Sequence, residues 1–286
     1  MHAVTPTAGG QSDGEVCSSR QFHSSELEIE KKFCIPNEQA AIRLEQTLTS
    51  LGFTISHKEE FVDWYFDLPD TNWYFALKDC WLRYREKKVK VLNNWGWKGS
   101  WQVKRGKKEE GPQGNDGTTV YEEFQGEDAK ELIRDMVRQQ GGVSGWAGAS
   151  STRNSNYDGH DVPNLTGAES LVPFARIDTF RTCFEAANDI EFSNLKVDID
   201  TTNFGHMVGE VEAVIENCSS DKTRVEAAKE KISRLIDLIS RKSEFESSND
   251  AIGKLEYYLM NNRRDLYDAC VNAGSLAKQK SISSTT

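Results

Sequence analysis

Charged side chains recur at every second residue along several segments of this chain, and that alternation restricts the fold more than any other feature. In Glu28-Ile29-Glu30-Lys31-Lys32-Phe33 an extended backbone puts Glu28, Glu30 and Lys32 on one face and Leu27, Ile29 and Phe33 on the other. Trp81-Leu82-Arg83-Tyr84-Arg85 sets both arginines on one face, and Trp101-Gln102-Val103-Lys104 adds a lysine flanked by β-formers. Tyr121-Glu122-Glu123-Phe124 supplies an acid and Thr179-Phe180-Arg181-Thr182 an arginine. In Lys196-Val197-Asp198-Ile199-Asp200 two aspartates share a face, and in Val208-Gly209-Glu210-Val211-Glu212-Ala213 two glutamates lie opposite Val211, Ala213 and Ile215. One such strand alone would be an ordinary half-exposed one. Their recurrence implies a sheet with one charged face and one apolar face covered by helices. The expected class is α+β: an antiparallel β-barrel or tunnel with a polar lumen and helices packed on the outside.

Burying so many charges costs several kcal/mol per ion before pairing offsets it, so a dry, empty lumen is excluded. Water or a highly charged ligand must fill it. Lysine and the planar fork of arginine suit phosphate oxygens, whereas carboxylates grip Mg²⁺ or Mn²⁺. A polyphosphate with a divalent metal satisfies both halves.

The same residues carry a resemblance. The E-x-E-x-K run at Glu28, Glu30 and Lys32, the R-x-R at Arg83 and Arg85, and the V-K-R-G around Lys104 resemble the CYTH superfamily of triphosphate tunnel enzymes. The block Val197-Asp198-Ile199-Asp200-Thr201, Asn203-Phe204-Gly205 and Val208 to Ala213 is similar to the branch that hydrolyses thiamine triphosphate. So are Asp63 to Pro69, Gly253-Lys254-Leu255 and Tyr258-Leu259, and the likeness runs from about Leu27 to Asn262. It implies Mg²⁺-dependent hydrolysis of thiamine triphosphate to thiamine diphosphate and phosphate. Lys32, Arg83, Arg85, Lys104 and Arg181 would hold the triphosphate, with Glu123 and Lys254 also in the binding set; Glu122 leaves the register beside Glu123 open. Glu28, Glu30, Asp198, Glu210 and Glu212 would hold metal, and Lys32 and Glu210 would serve catalysis. One metal on Glu28, Glu30 and Glu212 and a second near Asp198 and Glu210 is one arrangement; a crowded carboxylate acting as general base is another. Tyr65 and Trp81 match positions that would meet the cationic thiazolium by cation–π contact, and core packing accounts for them equally well. Inorganic tripolyphosphatase, nucleoside triphosphatase, adenylyl cyclase and non-catalytic polyphosphate binding are the alternative activities.

Of 286 residues 37% are hydrophobic, with no long apolar run, which predicts a protein without a membrane span. A net charge of −10 argues against nucleic acid or anionic membrane as partner and leaves a small-molecule triphosphate; a monomer is expected. Six cysteines without C-x-x-C spacing, and no apolar leader, predict reduced thiols and a cytoplasmic location. Low-complexity composition predicts disorder over 1–24 and 273–286, flanking one domain at 25–272 with a Gly/Ser/Asn-rich surface loop inserted at about 141–167. Helices are expected from an Asn37 cap to Gly52, over 128–139, over 221–240 and from about 250. Lys87 to Lys108, with Trp95, Trp97 and Trp101, reads as a projecting hairpin more simply than as a single-strand nucleic-acid platform. Cys34, Cys80, Cys183 and Cys218 read as packing residues and His206 as a structural turn residue.

Overall fold

Every segment with alternating charge forms a strand. The computed structural model describes residues 26–68, 73–91, 94–107, 117–140, 156–157, 160–187, 191–216, 222–243 and 251–277. In chain order these form β1 (Glu26–Cys34), α1 (Glu38–Ser50), β2 (Phe53–Asp67), a 3₁₀ turn (Ala76–Lys78), β3 (Cys80–Val91), β4 (Asn94–Gly106), β5 (Thr118–Gln125) and α2 (Gly126–Gln140). There follow the short β6 (Asn156–Tyr157) and β7 (His160–Asp161), then β8 (Val172–Ala186), β9 (Lys196–Thr202), β10 (Met207–Glu216), α3 (Lys222–Ser243), α4 (Lys254–Asn262) and α5 (Arg264–Ala273). Eight strands close into a barrel in the order β1-β10-β9-β8-β2-β3-β4-β5, with every pairing antiparallel, while β6 and β7 pair apart from it.

The apolar half of each alternation faces outward and is covered. Leu27, Ile29 and Phe33 join Val211, Ala213 and Ile215 under Leu44 and Leu48 of α1 and Ile232, Leu235, Ile236 and Ile239 of α3. Trp64, Phe66, Leu82, Trp101, Val103 and Phe124 pack under Ala129, Leu132 and Ile133 of α2. At about 25 cal/mol per Å² these burials are the main force closing the sheet. A third cluster differs, because Tyr65, Trp81 and Ile177 share the strand face of the charged residues and meet Leu259 of α4 with Leu266, Tyr267 and Cys270 of α5. These two helices plug one end of the barrel.

The Asn37 side chain accepts a 2.9 Å hydrogen bond from the Ala40 amide, and Gly52, at φ +86, lets the chain turn into β2. The expected helix from about 250 is instead two helices broken at Arg263, whose φ of −139 is not helical. Asn261 and Asn262 turn their side-chain amides back onto the Tyr257 and Tyr258 carbonyls at 2.7 and 3.0 Å, local competition that ends a helix. Leu165, inside the expected surface loop, is buried against the α2 cluster. Cys34 is exposed at the end of β1 rather than packed, whereas Cys80 and Cys183 are buried. The expected disordered stretch at 1–24, most of the insertion, Cys218, the last residues of the tail and the tip and end of the Lys87–Lys108 segment lie outside the described residues.

Gly209 pairs with Phe33, and a Cβ there would lie only 2.1 Å from the nearest Phe33 ring carbon. Gly209→Ala is therefore expected to destabilise by about 1–3 kcal/mol through overpacking. Thermal unfolding of the variant against the parent checks this, and Phe33→Leu in the same chain should recover part of the loss.

Candidate active site

Antiparallel register turns the charged alternation into a continuous belt inside the barrel. Lys32 stands opposite Glu210 and Glu30 opposite Glu212 across β1 and β10. Glu210 faces Asp198 on β9, and Asp200 faces Arg181 on β8. On the other side Asp63 faces Arg85, Tyr65 faces Arg83, Arg83 faces Gln102, and Lys104 faces Glu123. The belt is completed by Glu28 and Glu30 opposite Tyr121 and Thr119. Glu123, not Glu122, is thus the lumenal acid of its pair, because Glu122 stands opposite the outward-facing Leu27.

The cations divide into two kinds of partnership. Arg85 makes a forked pair with Asp63 at 2.6 and 2.7 Å, and Arg181 a forked pair with Asp200 at 2.7 Å for both bonds. Arg181 also contacts Asp198, and Arg83 is held by Gln102 at 2.8 Å and Glu123 at 3.1 Å. Lysines bridge the carboxylates more loosely: Lys32 lies between Glu30 and Glu210, Lys104 between Glu28 and Glu30, and Lys196 is 2.9 Å from both Asp198 and Glu212. Lys254, entering from the start of α4, reaches Asp200. Phe61 lies beneath this group, its ring 3.9 Å from Arg85, 5.3 Å from Arg181 and 5.0 Å from Lys254.

Charge states follow from burial and neighbours. Desolvation, followed by the charge of Glu210, pushes Glu30 up to about 7 against Lys104 and Lys32. Desolvation also raises Glu28 and Glu212. Desolvation would raise Glu210 too, but Lys32 leads the opposing charges that hold it well below the usual carboxylate range. For Asp63 burial is outweighed by Arg85 and Arg83, which keep it ionised.

Oxygens of Glu28, Glu30 and Glu210 lie within 4.8 Å of one another. Glu28 Oε2 and Glu210 Oε1 are buried with no hydrogen-bond partner; Lys104 at 2.9 Å and Lys32 at 3.2 Å approach them without hydrogen-bond geometry. Three converging carboxylates, two of them with an unsatisfied oxygen, fit a hard divalent cation such as Mg²⁺. Of the acids expected to hold metal, Glu212 and Asp198 stand outside this triad, both drawn to Lys196. Trp81 and Tyr65 are buried among α4 and α5 residues; the Trp81 indole donates to Asp79 at 2.9 Å, and Tyr65 hydrogen-bonds Arg83. His206 is structural, stacked on Tyr257 at 4.2 Å and bonded to the Ile252 carbonyl at 2.8 Å.

Asp63, Asp200, Lys196, Gln102 and Phe61 belong to the site and were not assigned to it from sequence. Asp63 and Asp200 share the alternation of Tyr65 and Asp198, so parity was the available signal; Phe61 carries no charge and gave none.

Burial would raise Asp200, but Arg181 and Lys254 outweigh it and hold the carboxyl at about 2, against 3.8 unperturbed. A depressed folded pKa contributes stability above pH 3.8 that disappears as pH falls from 3.8 through about 2. The contribution is roughly 2 kcal/mol. Asp200→Asn should lower the unfolding midpoint at pH 7 and flatten its fall across that acid window, as read from thermal melts at several pH values.

The model of the CYTH domain family matches residues 26–246. Thiamine-triphosphatase of Macaca fascicularis is 29% identical over 258 residues, 89% of this chain and 93% of that protein. Thiamine-triphosphatase of Homo sapiens is 29% identical over 253 residues, 87% of this chain and 91% of that one. A solved structure from Pyrococcus horikoshii OT3 superposes with a TM-score of 0.47 at 14% identity, covering 83% of this chain and 99% of that chain. Because the matched span takes in every barrel strand from β1 to β10 and the α3 helix that covers them, the chain belongs to the CYTH domain family.

Proposed function

We propose that the chain hydrolyses thiamine triphosphate to thiamine diphosphate and phosphate, with Mg²⁺ bound and Mn²⁺ able to replace it. The observation that carries the hydrolytic reading is the convergence of Lys32, Arg83, Lys104 and Arg181 on the same lumen as the Glu28–Glu30–Glu210 triad. The thiamine reading rests on the names of the two relatives and on the aromatic cluster at the plugged end.

In this reading Arg85 and Arg181, fixed by their aspartates, cradle the triphosphate without reorganising during the reaction. Lys32 and Lys104 leave their glutamates for phosphate oxygens, which frees Glu28, Glu30 and Glu210 to hold the cation. The cation supplies charge neutralisation on the phosphate oxygens. Lys32 neutralises the terminal phosphoryl group, and Glu210, kept ionised, orients the attacking water by accepting its hydrogen bond. Trp81 and Tyr65 present π-faces to the thiazolium.

Phosphate release with Mg²⁺ from thiamine triphosphate, inorganic tripolyphosphate and ATP, compared by kcat/KM, tests the assignment. Thiamine triphosphate should lead. Trp81→Leu, which keeps the position apolar but removes the π-face, should lower kcat/KM for thiamine triphosphate about tenfold while leaving tripolyphosphate within about twofold. An equal loss on both substrates would remove the aromatic contact from the account, and a parent enzyme preferring tripolyphosphate would replace the substrate.

A further inference from the structure

A second group of metal-ligating side chains lies in the lumen on other strands than the carboxylate triad. β2 is four strands from β1 in either direction around the closed order, whereas β8 is two strands from β10, with Asp198 standing between Cys183 and Glu210. On β2 and its neighbour β8, one ligand atom each of His57, Glu59 and Cys183 lies within 4.8 Å of the other two. A β-bulge builds this group. Ile55 pairs with Phe184 and His57 with Cys183, so Ser56 is the extra residue that brings His57 into the lumenal row instead of the outer one. Glu59, two residues on, stands opposite Arg181 in the next row.

The arrangement has an entry path and an orienting contact. Cys183 is buried, Glu59 intermediate and His57 exposed, so the group opens to solvent at the histidine. Ser56 Oγ lies 3.0 Å from His57 Nδ1, a contact that orients the ring, as partners of metal-bound histidines do.

The donor set is one nitrogen, one sulfur and one oxygen, in contrast to the all-oxygen triad. Mg²⁺ prefers oxygen, whereas thiolate and imidazole select Zn²⁺ and its relatives. We propose that His57, Glu59 and Cys183 form a binding site for a borderline-soft divalent cation of the Zn²⁺ class, separate from the carboxylate triad, with water as fourth ligand. Bonds of about 2.0–2.3 Å require the three atoms to close by about 1 Å, a rotamer adjustment that the exposed His57 permits. Binding displaces the thiol proton to solvent, so the thiolate and the Glu59 carboxylate together balance the two charges of the ion. Lys87, 2.9 Å from Glu59 and with a side chain 43% exposed, can swing into water to release it. Arg181, opposite Glu59, has its charge taken up by Asp200 and Asp198. Without a metal the Cys183 thiol is inert, since burial pushes it up to about 12.

Co²⁺, a spectroscopic substitute for Zn²⁺, tests the site in the full chain with Mg²⁺ in excess. One equivalent should produce thiolate-to-Co²⁺ charge-transfer absorption that Zn²⁺ removes by competition and Mg²⁺ does not. Cys183→Ser should abolish the band, and His57→Ala should weaken Co²⁺ binding at least about tenfold. Absence of the band in the parent, its survival in Cys183→Ser, or unchanged affinity in His57→Ala would each overturn the site. His57 is exposed, so its variant keeps the test decisive even where Cys183→Ser fails to fold.

Discussion

Pairing of opposite charges inside a closed, poorly solvated barrel is the interaction on which the rest of this structure depends. Closure removes the edges of the sheet but forces the charged half of every strand into one lumen, where an unpaired ion costs several kcal/mol. The register answers part of this by setting opposite signs side by side, as with Lys32 and Glu210, Asp200 and Arg181, Asp63 and Arg85, and Lys104 and Glu123, while the acid-on-acid pairs Glu30–Glu212 and Glu210–Asp198 are bridged by Lys32 and Lys196. A one-residue slip in any pair would send these charges outward and the apolar set inward, so the network and the register specify each other.

Within that network the two kinds of pair have different consequences. Arg85 and Arg181 are held in planar forks by short aspartates, an arrangement that fixes direction as well as charge. Lys32, Lys104 and Lys196 are point charges shared among longer glutamates and an aspartate, and such contacts exchange more readily for phosphate oxygens. The lumen is therefore both rigid and exchangeable, with the forks on β2, β3, β8 and β9 and the exchangeable lysines on β1, β4 and β9 around the glutamates of β1 and β10. The plug of α4 and α5 makes the two ends of the barrel unlike, and Lys254 ties it to the network through Asp200.

Most of the barrel was legible in the sequence because alternation is a local property. Parity places Glu28, Glu30, Lys32, Arg83, Arg85, Lys104, Arg181, Asp198, Glu210 and Glu212 on the lumenal face without knowledge of partners, and strand pairing agrees. What parity cannot supply is which strands become neighbours. The roles of Asp63, Asp200 and Lys196 as counter-ions depend on contacts between residues distant in the chain. Phe61 was invisible because an apolar residue in a charged row reads as an interruption. His57 was hidden by the bulge at Ser56, which reverses parity within β2. The break at Arg263 depends on Asn261 and Asn262 folding back on their own helix, a choice that periodicity does not encode.

In the proposed reaction carboxylates and a polyphosphate compete for the same lysines, and a divalent cation resolves the competition. Calorimetric titration of inorganic tripolyphosphate into the protein, with and without Mg²⁺, addresses it most directly. One site per chain is expected, with an affinity that rises when Mg²⁺ is present, because the cation would occupy the carboxylates that the lysines vacate. Equal affinity with and without Mg²⁺, or no binding in either condition, would contradict it.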